Sequence, residues 1–293
     1  GRRFVVVVSD EGQEFGVVEI GDGRYGKGGG GRLHELAELE RAGVDALLPD
    51  PGKKTEVDLE AVASDGNRVL LVGSASLKRK KPKDDSGVND LAEVVPASGR
   101  GNHFSNYAYV LEASAAPGTP PSFKLVLARD LREILLGMPL LAPFREIPSK
   151  DNGIDIEGAL AHGGFYYFGL RGPVLRGRAL VARVRTDFSE PLLFSLDLGG
   201  LGVRALSYAG ADERTRGVYI LAGPTMPTKT DFVLYRWVEH ESSTAEQSVK
   251  PELVGSVPNH DELAPEALLP LDGALCVVHD GRPGGAPACR ALR

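Results

Sequence analysis

The sequence predicts an all-β fold, a β-propeller of five blades with short helical insertions. Three observations lead there: a two-strand unit recurs along the chain, the second strand of each unit is apolar at consecutive positions, and 37 glycines and 20 prolines among 293 residues supply breakers for many short strands. Strands that are apolar at every position are buried on both faces, which places them toward the axis of a ring rather than at an edge.

In chain order, Phe4-Val5-Val6-Val7-Val8-Ser9 reads as the second strand of a copy whose first strand lies outside the chain. Residues 24–54 carry Gly28-Gly29-Gly30-Gly31 and then Leu33, Leu36 and Leu39 at a spacing that suits one helical face, so an insertion is expected there. The first full copy runs from Asp58-Leu59-Glu60 through the turn Asp65-Gly66-Asn67 into residues 68–74. A second insertion is expected over residues 84–146, where Leu127, Leu131, Leu135 and Met138 fall at helical spacing ahead of Pro139 and Pro143.

The next copy leads from Asp155-Ile156-Glu157 through Gly163-Gly164 into residues 165–169, and two looser copies pair residues 203–207 with 218–223 and 265–269 with 275–278. Strand, Gly/Asp turn and more apolar strand is the grammar of a hairpin. Residues 179–184, 192–196 and 232–237 are more amphipathic and fit the outer strands of four-stranded blades. The whole chain is read as one propeller, with six blades as the alternative should residues 24–54 or 84–113 hold weak strands.

A net charge of −6 exerts no global pull toward nucleic acid or anionic lipid, so nucleic acid is not an expected partner. No run of about 18 apolar residues provides a membrane span. Cys276 and Cys289 are the only cysteines, without CxxC spacing or a second pair for zinc, which points to a reducing compartment and a cytoplasmic location. The chain enters its first strand directly from Gly1-Arg2-Arg3, so a truncated natural N-terminus is expected.

The run Ile147-Pro148-Ser149-Lys150-Asp151-Asn152-Gly153-Ile154-Asp155-Ile156-Glu157-Gly158, followed by Gly169-Leu170-Arg171-Gly172-Pro173-Val174-Leu175-Arg176-Gly177, closely resembles the signature of a bacterial propeller-like family, domain of unknown function 3616. Asp58-Leu59-Glu60 with Gly73-Ser74-Ala75-Ser76 is similar to that family's first copy. The resemblance implies the fold and no established activity. Ala61 stands where the family tends to have Gly, and Ala75 where a His is common. More distantly, the Glu-led inner strands resemble those of gluconolactonase-like and phytase-like propellers, in which such a Glu can hold a divalent metal; fold alone does not carry function.

Glu60, Glu157 and Glu266 occupy one repeat position, so ring symmetry would bring their carboxylates toward one end of a channel. Converging carboxylates need a cation, an arginine or a proton between them. Oxygen-only ligation would suit Ca²⁺ or Mg²⁺, whereas Arg204, at the same position of a fourth copy, could neutralise the acids without metal. Arg171 and Arg176, with Ser74, Arg204 and His279, form the candidate rim for a small anionic ligand or a partner protein, because arginine forks recognise carboxylate and phosphate. Lys78-Arg79-Lys80-Lys81-Pro82-Lys83 follows the equivalent strand of another copy and could add to that basic rim, but Lys80, Lys81 and Lys83 read as a solvated loop.

Gly21-Asp22-Gly23-Arg24-Tyr25-Gly26-Lys27 has the glycine and lysine spacing of a phosphate loop, yet Gly28 replaces the hydroxyl residue that would bind Mg²⁺. Gly73-Ser74-Ala75-Ser76-Leu77 lacks the last glycine of a nucleophile elbow. The six histidines are scattered, and His279 beside Asp280 is the one candidate for a base at the rim. The expectation is therefore a binding module of unassigned specificity, with a metal-dependent hydrolase of lactone or phosphoester type as the alternative.

Overall fold

The computed structural model describes residues 3–20, 32–43, 48–49, 55–81, 87–97, 103–116, 119–226, 228, 230–238, 247–259, 264–280 and 287–292. They form an all-β fold of five multi-stranded sheets in a five-blade β-propeller arrangement. The chain divides into two compact units: Phe4–Glu19 with Gly31–Ile156, hereafter the N-terminal unit, and Gly1–Arg3 with Ile20–Gly30 and Glu157–Arg293, hereafter the C-terminal unit.

The first sheet joins β1 (Arg3–Val8), β2 (Glu14–Ile20) and β3 (Arg32–Glu35) in that order. The second takes β4 (Glu40–Arg41), β5 (Leu59–Asp65) and β6 (Arg68–Gly73). A small separate hairpin, β7 (Leu77–Arg79) and β8 (Val94–Pro96), intervenes before β9 (Tyr107–Ser114) and β10 (Ser122–Asp130) complete that sheet in the order β4-β10-β9-β6-β5. Phe15, Leu59, Leu71, Tyr109, Leu111, Phe123 and Leu125 make the core of this unit.

Two sequence expectations are corrected here. Residues 107–130, expected within an insertion, are two long antiparallel strands of the second blade, and the one α-helix among the described residues, α1 (Leu131–Leu136), begins only after them. The false helical periodicity has a local cause. The β9–β10 register slips between Leu125 and Leu127, which breaks the period-two alternation of β10, and Asp130 then caps α1 by accepting from Glu133 N–H at 3.0 Å. Similarly, Leu33 lies exposed on β3, while Leu36 starts a single 3-10 turn and is buried with Leu39, so the spacing of three is a strand end followed by one turn.

The C-terminal unit holds three blades. The first contains β11 (Asp155–His162), β12 (Phe165–Leu175), β13 (Arg178–Arg185) and β14 (Leu192–Asp197); the next contains β15 (Gly202–Ala209), β16 (Gly217–Gly223) and β17 (Phe232–Trp237). The short β18 (Gln247–Val249) adds to β14 in parallel, and β19 (Glu252–Val257) adds to β17 antiparallel. The last sheet is β20 (Pro265–Leu271), β21 (Ala274–His279) and β22 (Ala288–Ala291). The consecutive apolar runs behave as their pattern requires: β16 is buried along its whole length, and Tyr167, Val181, Phe194, Val203, Ile220 and Trp237 form a continuous core.

Cys276 and Cys289 face each other across β21 and β22 and are joined in a disulfide. This runs against the reducing compartment suggested by the low cysteine count, since disulfides form and persist where the surroundings are oxidising. Among the described residues no helix is long and apolar enough to cross a membrane.

Candidate functional site

The repeat position that carries the acids has a structural mark. In three hairpins the register shifts by one residue at the start of the first strand: between Leu59 and Ala61, between Val203 and Ala205, and between Pro265 and Ala267. The skipped residues are Glu60, Arg204 and Glu266. A bulge inserts one residue against none on the partner strand and re-aims its side chain out of the regular alternation. The residues aligned from the repeats are thus also the residues the backbone treats alike.

In the C-terminal unit these side chains meet. Glu157 on β11 is buried, with its side chain 5% exposed, and lies between two guanidinium groups. Arg171 pairs with its Oε1, and Arg204 Nη1 lies 2.6 Å from its Oε2. Arg204 Nη2 then reaches both oxygens of Glu266, at 2.6 and 2.7 Å. The result is a relay running Arg171, Glu157, Arg204, Glu266, in which cation and anion alternate. Burial raises the worth of each contact because low dielectric strengthens attraction between opposite charges.

Local packing holds the relay. A Cβ on Gly202 would strike the backbone carbonyl of Arg171, so glycine alone lets β15 approach β12 closely enough for Arg204 to reach Glu157. The Arg204 guanidinium also lies 5.7 Å from the centre of the Phe232 ring. Arg176 does not join this group. It occupies the β12–β13 turn, exposed, with φ of 50°. His279 ends β21 opposite Pro265, half-buried and next in register to Glu266.

Ser74 and Glu60 belong to the N-terminal unit. Ser74 is fully buried, donates its hydroxyl proton to Asp58 Oδ2, and accepts from Ser76 N–H at 3.2 Å. Lys78 Nζ completes the group at 3.1 Å from Asp58 Oδ1. Burial pulls the Lys78 ammonium down, but Asp58, with Glu56 and Glu60, outweighs it and holds the lysine above its ordinary value. A serine enclosed and committed to a carboxylate is a structural knot rather than an exposed nucleophile. Glu60 itself is half-buried on β5.

The long motif quoted for the family resemblance has two jobs. Pro148 C=O accepts from both Asp151 N–H and Gly153 N–H at 2.9 Å, with Asn152 in the left-handed region at φ 67°, and this tight turn launches β11. Asp151 meanwhile pairs with Arg79 at 2.6 Å. Sequence reasoning missed Asp58, Lys78 and the buried Arg132, which donates to the carbonyls of Ala75 and Arg145. Asp58 was legible: it precedes Leu59-Glu60 as Asp155 precedes Ile156-Glu157, and both aspartates are buried. Nothing in the local pattern marks Arg132.

The lysine loop is only partly within view. Lys80 lies 3.1 Å from both Asp90 and Glu93, whereas Lys83 falls outside the described residues, as do the phosphate-loop-like run of residues 21–27, His240 and His260. Among the described residues no cluster of three or more His, Cys, Asp or Glu gathers as a metal centre.

A family model described as protein of unknown function (DUF3616) matches residues 3–101 and 123–265, including the motif turn, both Asp-x-Glu strands and the first three members of the relay. The chain belongs to the DUF3616 family. No curated protein matches this DUF3616 chain, so the expected likeness to gluconolactonase-like and phytase-like propellers has no relative to support it.

Proposed function

We propose that this DUF3616 protein is a binding module whose C-terminal unit takes a small anionic ligand, or a carboxylate of a partner protein, on Arg204 and Arg171. The observation that carries the reading is the gradient of exposure along the relay. Glu157 is enclosed, at 5% exposed, while Glu266 is 36% exposed and rests both oxygens on one nitrogen of Arg204. Glu266 is therefore the exchangeable carboxylate: an incoming carboxylate or phosphate can take its place on Arg204 without disturbing the buried pair beneath, and Arg171 adds a second cation nearby.

The hydrolase alternative needs Glu60, Glu157 and Glu266 as ligands for Ca²⁺ or Mg²⁺. Arginine contacts already occupy Glu157 and Glu266, which favours the binding reading. The Cys276–Cys289 bond likewise supports an oxidising compartment over the cytoplasm.

Calorimetry with succinate and inorganic phosphate as probes tests the site. Arg171→Ala is expected to weaken binding by about 1.5–3 kcal/mol, the range for a hydrogen bond to a charged group. Unchanged affinity in that variant would remove Arg171 from the site. Metal-dependent turnover of a lactone or phosphoester, abolished by Glu157→Gln, would establish the hydrolase instead.

A further inference from the structure

A cleft opens within the C-terminal unit between its middle and last blades, lined by none of the four relay residues. It encloses about 530 Å³ between β16, β17 and β19 on one side and β21 and β22 on the other. That lies within the roughly 300–1,000 Å³ typical of small-molecule sites. Its floor is apolar: Leu234 and Leu275 are buried there, and Val254 and Leu292 pack on the same cluster.

Its polar lining is strongly biased toward cations. Arg214, Arg236 and Arg290 line the cleft against a single carboxylate, Glu252. That carboxylate satisfies only one edge of Arg236, accepting from Nε at 3.0 Å and Nη2 at 2.5 Å. Arg236 Nη1 is enclosed with no hydrogen-bond partner among the described residues. A buried donor without an acceptor costs free energy that an incoming acceptor recovers. The turn that carries Arg214 is set in advance, because Asp212 Oδ1 accepts from the N–H groups of Arg214 and Thr215 at 3.0 and 2.9 Å.

Arg290 stands on β22, a four-residue strand exposed along its length, whose own packing would hold it poorly. The disulfide supplies the constraint. Arg290 is paired with Leu275 in the β21–β22 ladder, next to the bonded pair Cys276 and Cys289, and its Nη1 donates to Val254 C=O across the cleft at 3.2 Å.

We propose that this cleft is a binding site for a small amphiphilic carboxylate, with the apolar body on Leu234 and Leu275, the carboxylate on Arg236 and Arg290, and the Cys276–Cys289 bond positioning Arg290. Arginine and apolar floor together select this class: an inorganic anion leaves the floor uncovered, and a neutral apolar molecule leaves the Arg236 donor unanswered.

The test is calorimetric titration of the oxidised full chain, with succinate present in excess to occupy the relay, by octanoate, octanol and inorganic phosphate. Octanoate is expected to bind best, with each of the other two weaker by about tenfold or more, the worth of one charge-assisted hydrogen bond or of a few buried methylenes. Arg290→Ala, on an exposed strand, is expected to weaken octanoate about tenfold with the thermal midpoint unchanged, and Arg236→Ala at least as much. The Cys276→Ser/Cys289→Ser double variant should weaken octanoate several-fold without change in far-UV circular dichroism. Octanoate affinity should be the same with and without saturating succinate, which separates this cleft from the relay. Equal binding of phosphate and octanoate, or octanoate affinity indifferent to Arg290→Ala, would overturn the site; full affinity in the double serine variant would overturn the role of the disulfide.

Discussion

The hairpins β5–β6 and β11–β12 begin alike, with a buried aspartate, an apolar residue and a glutamate, and then part company. In the N-terminal unit the second strand runs into Ser74, whose hydroxyl answers Asp58, with Lys78 on the far oxygen. In the C-terminal unit the second strand runs into Arg171, which answers Glu157 instead, and Arg204 extends the contact to Glu266. One scaffold position thus serves in one place as a hydrogen-bonded knot and in the other as an ionic relay. The knot is closed on itself, whereas the relay ends in a half-exposed carboxylate that another anion can replace.

The difference predicts a ranking of substitutions. Arg204→Ala should be the most damaging, by about 3 kcal/mol in denaturant unfolding, because the buried Glu157 is left with Arg171 on one oxygen alone and Glu266 loses its cation. A loss below about 1 kcal/mol would show the relay to be looser than its geometry. Ser74→Ala comes next, at about 1–2 kcal/mol, since Asp58 loses a buried donor yet keeps Lys78. A larger loss than that of Arg204→Ala would invert the comparison.

Lys78→Met should have the smallest effect, below about 1 kcal/mol, because its side chain is half-exposed and its pairing is screened by solvent. The carboxylates around it raise its pKa, so its contribution is fully present below the ordinary lysine value and is lost as pH rises through the raised one. The deficit of Lys78→Met relative to the parent should therefore be constant across the neutral range and shrink only in strong alkali. A deficit that changes between mildly acidic and neutral pH would assign the effect to another group.

Much of this architecture was legible in the sequence, and the reasons are physical. The hairpin repeats were readable because a strand buried on both faces needs consecutive apolar residues, and few other arrangements do. The equivalence of Glu60, Arg204 and Glu266 followed from the same alignment, and each falls at a bulge. β9 and β10 were hidden because a bulge at Val126 mimics helical spacing and because Asp130 starts a real helix immediately afterwards. Arg132 was invisible because its partners, the carbonyls of Ala75 and Arg145, are backbone atoms that any residue presents. The cysteine pairing was missed for a similar reason: it depends on the register of β21 and β22, not on spacing.

The central claim, that Glu266 holds the place of an external anion on Arg204, is tested most directly by the affinity of Glu266→Gln for succinate, measured by calorimetry beside the parent protein. A neutral amide competes for the guanidinium less well than a carboxylate, by roughly 1 kcal/mol. The variant is therefore expected to bind succinate about fivefold more tightly. Equal or weaker binding in Glu266→Gln, with the fold intact, would contradict the account and leave Glu266 as a fixed part of the blade contact.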